Sequence, residues 1–279
     1  MISAIMGDYF GSIYEDESIS SYNLPLISPA SHITDESVAI AAVCDVLVNN
    51  LDYAETFLKW FNRYPGAEYG FGTASWIEQN DCDYIGNSDG NLAASRSVLI
   101  GHLDLPLSLL LDFARDSAIP THNTEDGING AKAMVYTIWA LKNNKSQRDV
   151  FSYLFTNFDY LMEFYTLEQL KQTNETGCSA FNTVPISIWI AMTSTSYEDA
   201  LRNCLYINSA SLDLDSIMSM TSSIAFAYFF GGNIENARAD KMFKKLEFET
   251  KKYLFKNNQD ILQIVQEFEI QKDILGIPF

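Results

Sequence analysis

The chain has 279 residues, 47% of them hydrophobic and 19% charged, a globular composition that excludes a disordered tail or a low-complexity polymer. Acidic residues outnumber basic ones 36 to 18, giving a formal charge of −18 and a pI near 4.4. Phosphate backbones and anionic lipid repel so negative a protein, which argues against nucleic acid and for a small-molecule-handling fold.

In chain order, residues 37–49 form the first strongly apolar run, free of Gly and Pro and preceded by Thr34-Asp35-Glu36. Residues 126–141 have the same form, with an acidic start suited to a helix N-terminus. Helices are predicted next over 185–192 and 199–205, then over 215–230, where Gly231-Gly232 supplies a stop. The runs 37–49 and 215–230 are apolar almost all round, as the central helices of a large bundle must be. No segment alternates with period two for long enough to make a sheet. The fold expected is all-α, a compact single-domain multi-helix bundle over residues 1–279. Residues 235–279 form a charged helical segment packed on it, basic between Arg238 and Lys256.

Cys44, Cys82, Cys178 and Cys204 lie far apart with no C-x-x-C pair, which argues against zinc and against a disulfide scaffold. Reduced thiols in the cytoplasm are the simplest reading, with delivery into another cell left open. The first residues lack a basic region, so no signal peptide is read. No apolar run is long enough to span a membrane. The absence of a heptad seam suggests a monomer.

Two acidic clusters each open an apolar run: Thr34-Asp35-Glu36-Ser37 and Asp213-Leu214-Asp215-Ser216. Their oxygens can cap orphan helix N–H groups and do nothing more. They can equally hold a metal or do catalytic work, because carboxylates near a core are costly unless paired. Hard oxygen ligands suit Mg²⁺, Ca²⁺ or Mn²⁺.

The order of short motifs narrows this. Gly7-Asp8-Tyr9-Phe10-Gly11 through Glu15 resembles the G-D-x-x-G-x-x-x-E opening of the ADP-ribosylglycohydrolase family, the dinitrogenase-reductase-activating type. Thr34-Asp35-Glu36-Ser37 resembles its T-D-D-T, and Tyr69-Gly70 with Gly72 its Tyr-Gly loop. Gly90-Asn91-Leu92-Ala93-Ala94-Ser95-Arg96 is similar to G-N-G-A-A-M-R, Thr121-His122 to a T-H segment, and Thr176-Gly177 to E-T-G. Asp213-Leu214-Asp215-Ser216-Ile217, with Ala225 to Gly231 beyond it, is similar to D-T-D-T-I…A-x-A-Y-Y-G.

The resemblance implies a hydrolase that removes ADP-ribose from a modified protein side chain, arginine first and serine second. Water would attack the anomeric carbon of the distal ribose. ADP-ribose and an ADP-ribosylated protein are the implied partners. The implied cofactor is Mg²⁺ or Mn²⁺, held by Thr34, Asp35, Glu36, Asp213, Asp215 and Ser216. The implied catalytic carboxylates are Asp35, Glu36 and Glu15. Gly70, Gly72, Ser88, Asn91, His122 and Asp213 would cradle the ligand, with Tyr64, Tyr69 and Phe71 as candidates to stack on adenine or pack the core. Arg96 is expected to pair with a buried carboxylate.

The chain departs from the family pattern at definite places. Glu36 replaces an Asp, Ser211-Leu212 replaces Gly-Gly, Leu214 a Thr and Leu92 a Gly, while Thr124-Glu125-Asp126 replaces His-Pro-Glu. Side chains at 211 and 212 are expected to crowd the site. Fewer than two ions, or none, is the cofactor alternative these changes allow. The functional alternative is a catalytically impaired ADP-ribose-binding or ADP-ribosyltransferase-blocking module.

Overall fold

The computed structural model describes residues 2–15, 17–162, 166–172 and 177–272. Thr176 and residues 273–279 of the C-terminal segment lie outside the described residues. Within them the fold is all-α: α1 (Ile2–Gly11), α2 (Asp35–Asn49), α3 (Tyr53–Arg63), α4 (Phe71–Gln79), α5 (Leu92–Ser97), α6 (Leu107–His122), α7 (Glu125–Lys142) and α8 (Gln147–Phe158). There follow α9 (Leu167–Gln172), α10 (Ala180–Thr193), α11 (Tyr197–Ile207), α12 (Leu214–Phe230), α13 (Ile234–Ala239), α14 (Lys241–Asn257) and α15 (Gln259–Gln271).

The two all-round apolar runs are central. Every residue of α12 from Leu214 to Ala227 is buried, and so is α2 from Asp35 to Val46. Helix α12 packs against α1, α7, α10 and α11, while α2 lies among α3, α5 and α15. Gly231 ends α12 in the left-handed region at φ 61°. Side-chain caps open other helices: Asp52 accepts from Glu55 N–H, and Thr124 from Gly127 N–H.

Helix α1, which carries Gly7 and Gly11, has no counterpart among the predicted helices. The use of these glycines is close approach. A Cβ on Gly7 would lie 2.1 Å from Met218 O, and one on Gly11 would lie 2.8 Å from Asp215 Cα. The glycines, four residues apart on one face, bring the α1 backbone against α12. Helix α10 starts at Ala180, earlier than predicted, and carries Pro185 inside it. Its burial among α7, α11 and α12 offsets the one backbone hydrogen bond that proline removes.

The basic stretch folds as α14, with Phe243, Leu246 and Leu254 inward and Lys244, Lys245, Lys252 and Lys256 exposed. Glu247 receives Arg238 at 2.8 Å and Lys251 at 2.6 Å. Tyr64 of the α3 end donates to Asp260 at 2.5 Å, tying α15 to the body. None of the described helices is long and apolar enough to cross a membrane.

His102 is buried beside Phe226, and neither ring nitrogen has a hydrogen-bond partner among the described residues. Burial, with Lys142 and Lys272 nearby, holds its pKa well below the usual 6.5. The unfolded chain takes up this proton more readily than the folded one. The contribution is therefore complete above about pH 6.5 and is lost as pH falls. A His102→Leu protein is expected to gain about 2 kcal/mol on the parent between pH 7 and pH 5. Urea unfolding at both pH values checks this, and parallel losses in the two proteins would refute it.

Candidate active site

Five helices begin around one cleft of about 490 Å³: α2 at Asp35, α4 at Phe71, α5 at Leu92, α10 at Ala180 and α12 at Leu214. The positive ends of helix dipoles thus face a common space, which favours negative charge there. Glu15, Asp35, Glu36, Asp213 and Asp215 line it, and no lysine or arginine does so among the described residues.

The deepest carboxylate is Asp8, which is fully buried on α1. It accepts the backbone N–H of Thr34 at 3.1 Å and of Ser37 at 3.1 Å, the Thr34 hydroxyl at 2.7 Å, and the Ser37 hydroxyl. Asp8 therefore caps α2 from a neighbouring helix, while Thr34 makes no capping bond of its own. The Thr34 hydroxyl also lies 2.6 Å from Glu36 Oε2. One hydroxyl proton cannot serve two carboxylates, so the cluster calls for a bound proton or a cation.

Glu36 links the two acidic clusters. Its other oxygen accepts from Ser216 Oγ on α12, a reach that the extra methylene of Glu makes possible. Asn91 donates to Asp213 at 3.1 Å and lies 3.3 Å from Ser216 Oγ, so α5 joins the same network. The Ser216 N–H donates to Asp215 Oδ1 at 2.7 Å.

Electrostatics follow from this crowding. Burial and the charge of Glu36 push Asp8 up to about 7 despite its hydrogen bonds. Burial and Glu36 likewise raise Asp35 and Asp215 well above the carboxylate range, and raise Asp213 less. Among the described residues no lysine or arginine lines the cleft beside these carboxylates to offset their charge. One oxygen each from Asp8, Glu36 and Asp215 lie within 4.8 Å of one another, and so do those of Glu15, Asp213 and Asp215. An all-oxygen donor set shared through Asp215 fits hard divalent cations better than zinc or copper.

The structure gathers the residues singled out in the sequence. Glu15, Asp35, Glu36, Gly70, Gly72, Ser88, Asn91, His122, Asp213 and Asp215 all line the cleft. Thr34 and Ser216 lie just behind it, bonded to Glu36. A Cβ on Gly72 would lie 2.7 Å from Ser88 Oγ, so this glycine lets the α4 start meet the 86–91 loop. That loop is pinned to α6 by Gly86 N–H to Pro120 O at 2.9 Å and Ser88 N–H to Thr121 O at 3.2 Å. Thr124 both caps α7 and donates to Ser88 O at 3.0 Å, a second brace on the same loop.

Other expectations are corrected. Neither Ser211 nor Leu212 lines the cleft. Leu212 is buried and the pair bridges to Gly177. Of the three aromatic candidates, Tyr64 stacks on Trp60 and Tyr69 packs on Phe61, while Phe71 stands at the rim, 90% exposed. Arg96 pairs with no carboxylate among the described residues; it donates to Ser117 O and to Thr121 Oγ1. Asp8 is the residue the sequence reading passed over, although it stands inside the quoted G-D-x-x-G motif. Cys178 lines the cleft, and burial with Asp213 pushes its thiol up, away from nucleophilic use.

The ADP-ribosylglycohydrolase family model matches residues 1–229. A solved structure described as an ADP-ribosylglycohydrolase-related protein complex shares the fold, with a TM-score of 0.61 at 15% identity. The match covers 89% of this chain and 93% of the other. No curated protein matches the sequence.

Proposed function

Because the chain belongs to the ADP-ribosylglycohydrolase family, we propose that it hydrolyses ADP-ribose from a modified protein side chain, arginine first and serine second. The family and the fold support a hydrolase acting on ADP-ribose conjugates. The observation that carries the reading is the convergence of both acidic clusters on one cleft ringed by helix N-termini. The preference for arginine rests on charge, since a carboxylate-lined cleft attracts a guanidinium leaving group.

Asp8, Glu36 and Asp215, with Glu15 and Asp213, would hold Mg²⁺ or Mn²⁺. Such an ion would supply Lewis-acid polarisation and offset the charge of a diphosphate. The protein's own groups do the rest. Asp35 or Glu36 takes a proton from water as the water oxygen bonds to the anomeric carbon of the distal ribose and the glycosidic bond breaks. The same proton then passes to the departing nitrogen or oxygen. Positive charge that develops on the ribose is stabilised by the surrounding carboxylates. Backbone N–H groups of the glycine-bearing loop over residues 86–91 and of the α4 start cradle the diphosphate. Asn91, held by Asp213, orients the ribose.

Release of free ADP-ribose from arginine-modified and serine-modified protein, with Mg²⁺ and with EDTA, tests this. We expect release with Mg²⁺ to exceed that in EDTA by at least about a hundredfold, since no lysine or arginine replaces the cation's charge. Release that survives EDTA would remove the metal from the reading. No release from either substrate, with ADP-ribose still bound, would favour the binding module instead.

A further inference from the structure

Arg96 is fully buried, with its guanidinium carbon 4.3 Å above the Phe57 ring. Its Nη2 donates to Ser117 O at 2.6 Å and to Thr121 Oγ1 at 2.8 Å. A guanidinium has donors only, so the Thr121 oxygen accepts there and keeps its own proton to give. Thr121 Oγ1 is 2.6 Å from His122 Nδ1, which is the acceptor available for that proton among the described residues. A proton on Nδ1 would leave the Thr121 hydroxyl buried with nothing to donate to, an arrangement that costs more than a hydrogen bond returns. Nε2 must then carry the ring proton. It faces the cleft loop: a Cβ on Gly90 would lie 3.4 Å from His122 Nε2 and 3.1 Å from Ser88 Oγ.

We propose that Arg96 and Thr121 lock His122 as the neutral Nε2–H tautomer, so that it offers the cleft a hydrogen-bond donor and neither an acceptor nor a base. Arg96 and Thr121 are positioning residues in this relay. Burial, and then the Arg96 charge, disfavour the imidazolium, which keeps the ring neutral. Such a side-chain donor complements a cleft lined by carboxylates and, among the described residues, by neither lysine nor arginine. The matching ligand atom is an acceptor oxygen, phosphoryl or ribosyl. That last statement rests on the ADP-ribose reading, whereas the tautomer does not.

The test is a long-range ¹H–¹⁵N correlation spectrum of histidine-labelled protein from pH 6 to pH 8, with His122 identified by its loss in His122→Gln. The expected spectrum shows a bare Nδ1, a protonated Nε2 and no change across the range. Thr121→Ser should keep this signature and bind ADP-ribose within about twofold of the parent, while Thr121→Val should lose the fixed tautomer and weaken binding about tenfold. An Nδ1–H or averaging ring in the parent would overturn the proposal, and so would an unchanged tautomer in Thr121→Val. If Thr121→Val fails to fold, the parent spectrum alone decides. A parent with the Nε2–H signature that binds no ADP-ribose would uphold the relay and sink the ligand reading.

Discussion

An Asp215→Asn protein should release free ADP-ribose at least about a thousandfold more slowly than the parent, while melting no lower in metal-free buffer. The two effects have opposite signs for one reason. Asp215 is the residue common to both carboxylate triplets, and it is only 3% exposed. Its charge is opposed by burial, by Glu36, by Asp213 and by Glu15. Asparagine keeps the volume and an oxygen that can accept the Ser216 N–H, but removes the like-charge repulsion. It also removes charge that a cation and an electron-poor ribose would need. Mg²⁺ should raise the melting temperature of the parent, by about 2.7 kcal/mol of stabilisation at a hundred times its Kd, and should leave the variant nearly unmoved. Thermal melts with and without Mg²⁺, run beside the release assay, check all three points. A variant that melts lower yet hydrolyses like the parent would show that Asp215 is structural and that the chemistry lies elsewhere.

Much of this architecture could be read from residue patterns, and the failures have physical causes. Helices α2 and α12 were legible because a buried helix must be apolar all round, whatever its neighbours. The two acidic clusters were legible because carboxylates before such helices are costly and therefore informative. Helix boundaries were less so. Helix α10 holds Pro185 in its interior, where propensity alone would start a new helix. Tertiary packing decides that case. Arg96 was expected to find a carboxylate, but its partners are a backbone carbonyl, a hydroxyl and a ring face, none of which carries a charge signal in sequence. Asp8 was missed because its role depends on where α1 lies in space. Gly7 and Gly11 are four positions apart in sequence, but it is their contact with α12 that sets the carboxylate under the start of α2.

That dependence makes Gly7, the most closely approached of the described glycines, a sensitive position in the scaffold. Gly7→Ala should destabilise the protein by about 3 kcal/mol, although alanine is the better helix former by about 1 kcal/mol. The propensity gain is local to α1 and is fixed in size. The steric cost is larger because the new Cβ would lie 2.1 Å from Met218 O, 2.4 Å from Met218 C and 2.6 Å from Ser219 Cα. All three are backbone atoms of a buried helix, so no rotamer change relieves them. Helices α1 and α12 would have to separate, taking Asp8 away from Thr34 and Ser37 and shifting Asp215 relative to Glu36. Gly11→Ala meets Asp215 Cα at 2.8 Å, with Asp215 N and Leu214 O farther off at 3.3 Å, and should cost less. Urea unfolding of the three proteins is expected to rank the parent above Gly11→Ala and Gly11→Ala above Gly7→Ala. ADP-ribose release should fall in the same order, because the contact that holds the helices together also sets the spacing of the carboxylates. If Gly7→Ala proved as stable as the parent, the close α1–α12 approach would be wrong, and with it the placement of Asp8 beneath the cleft.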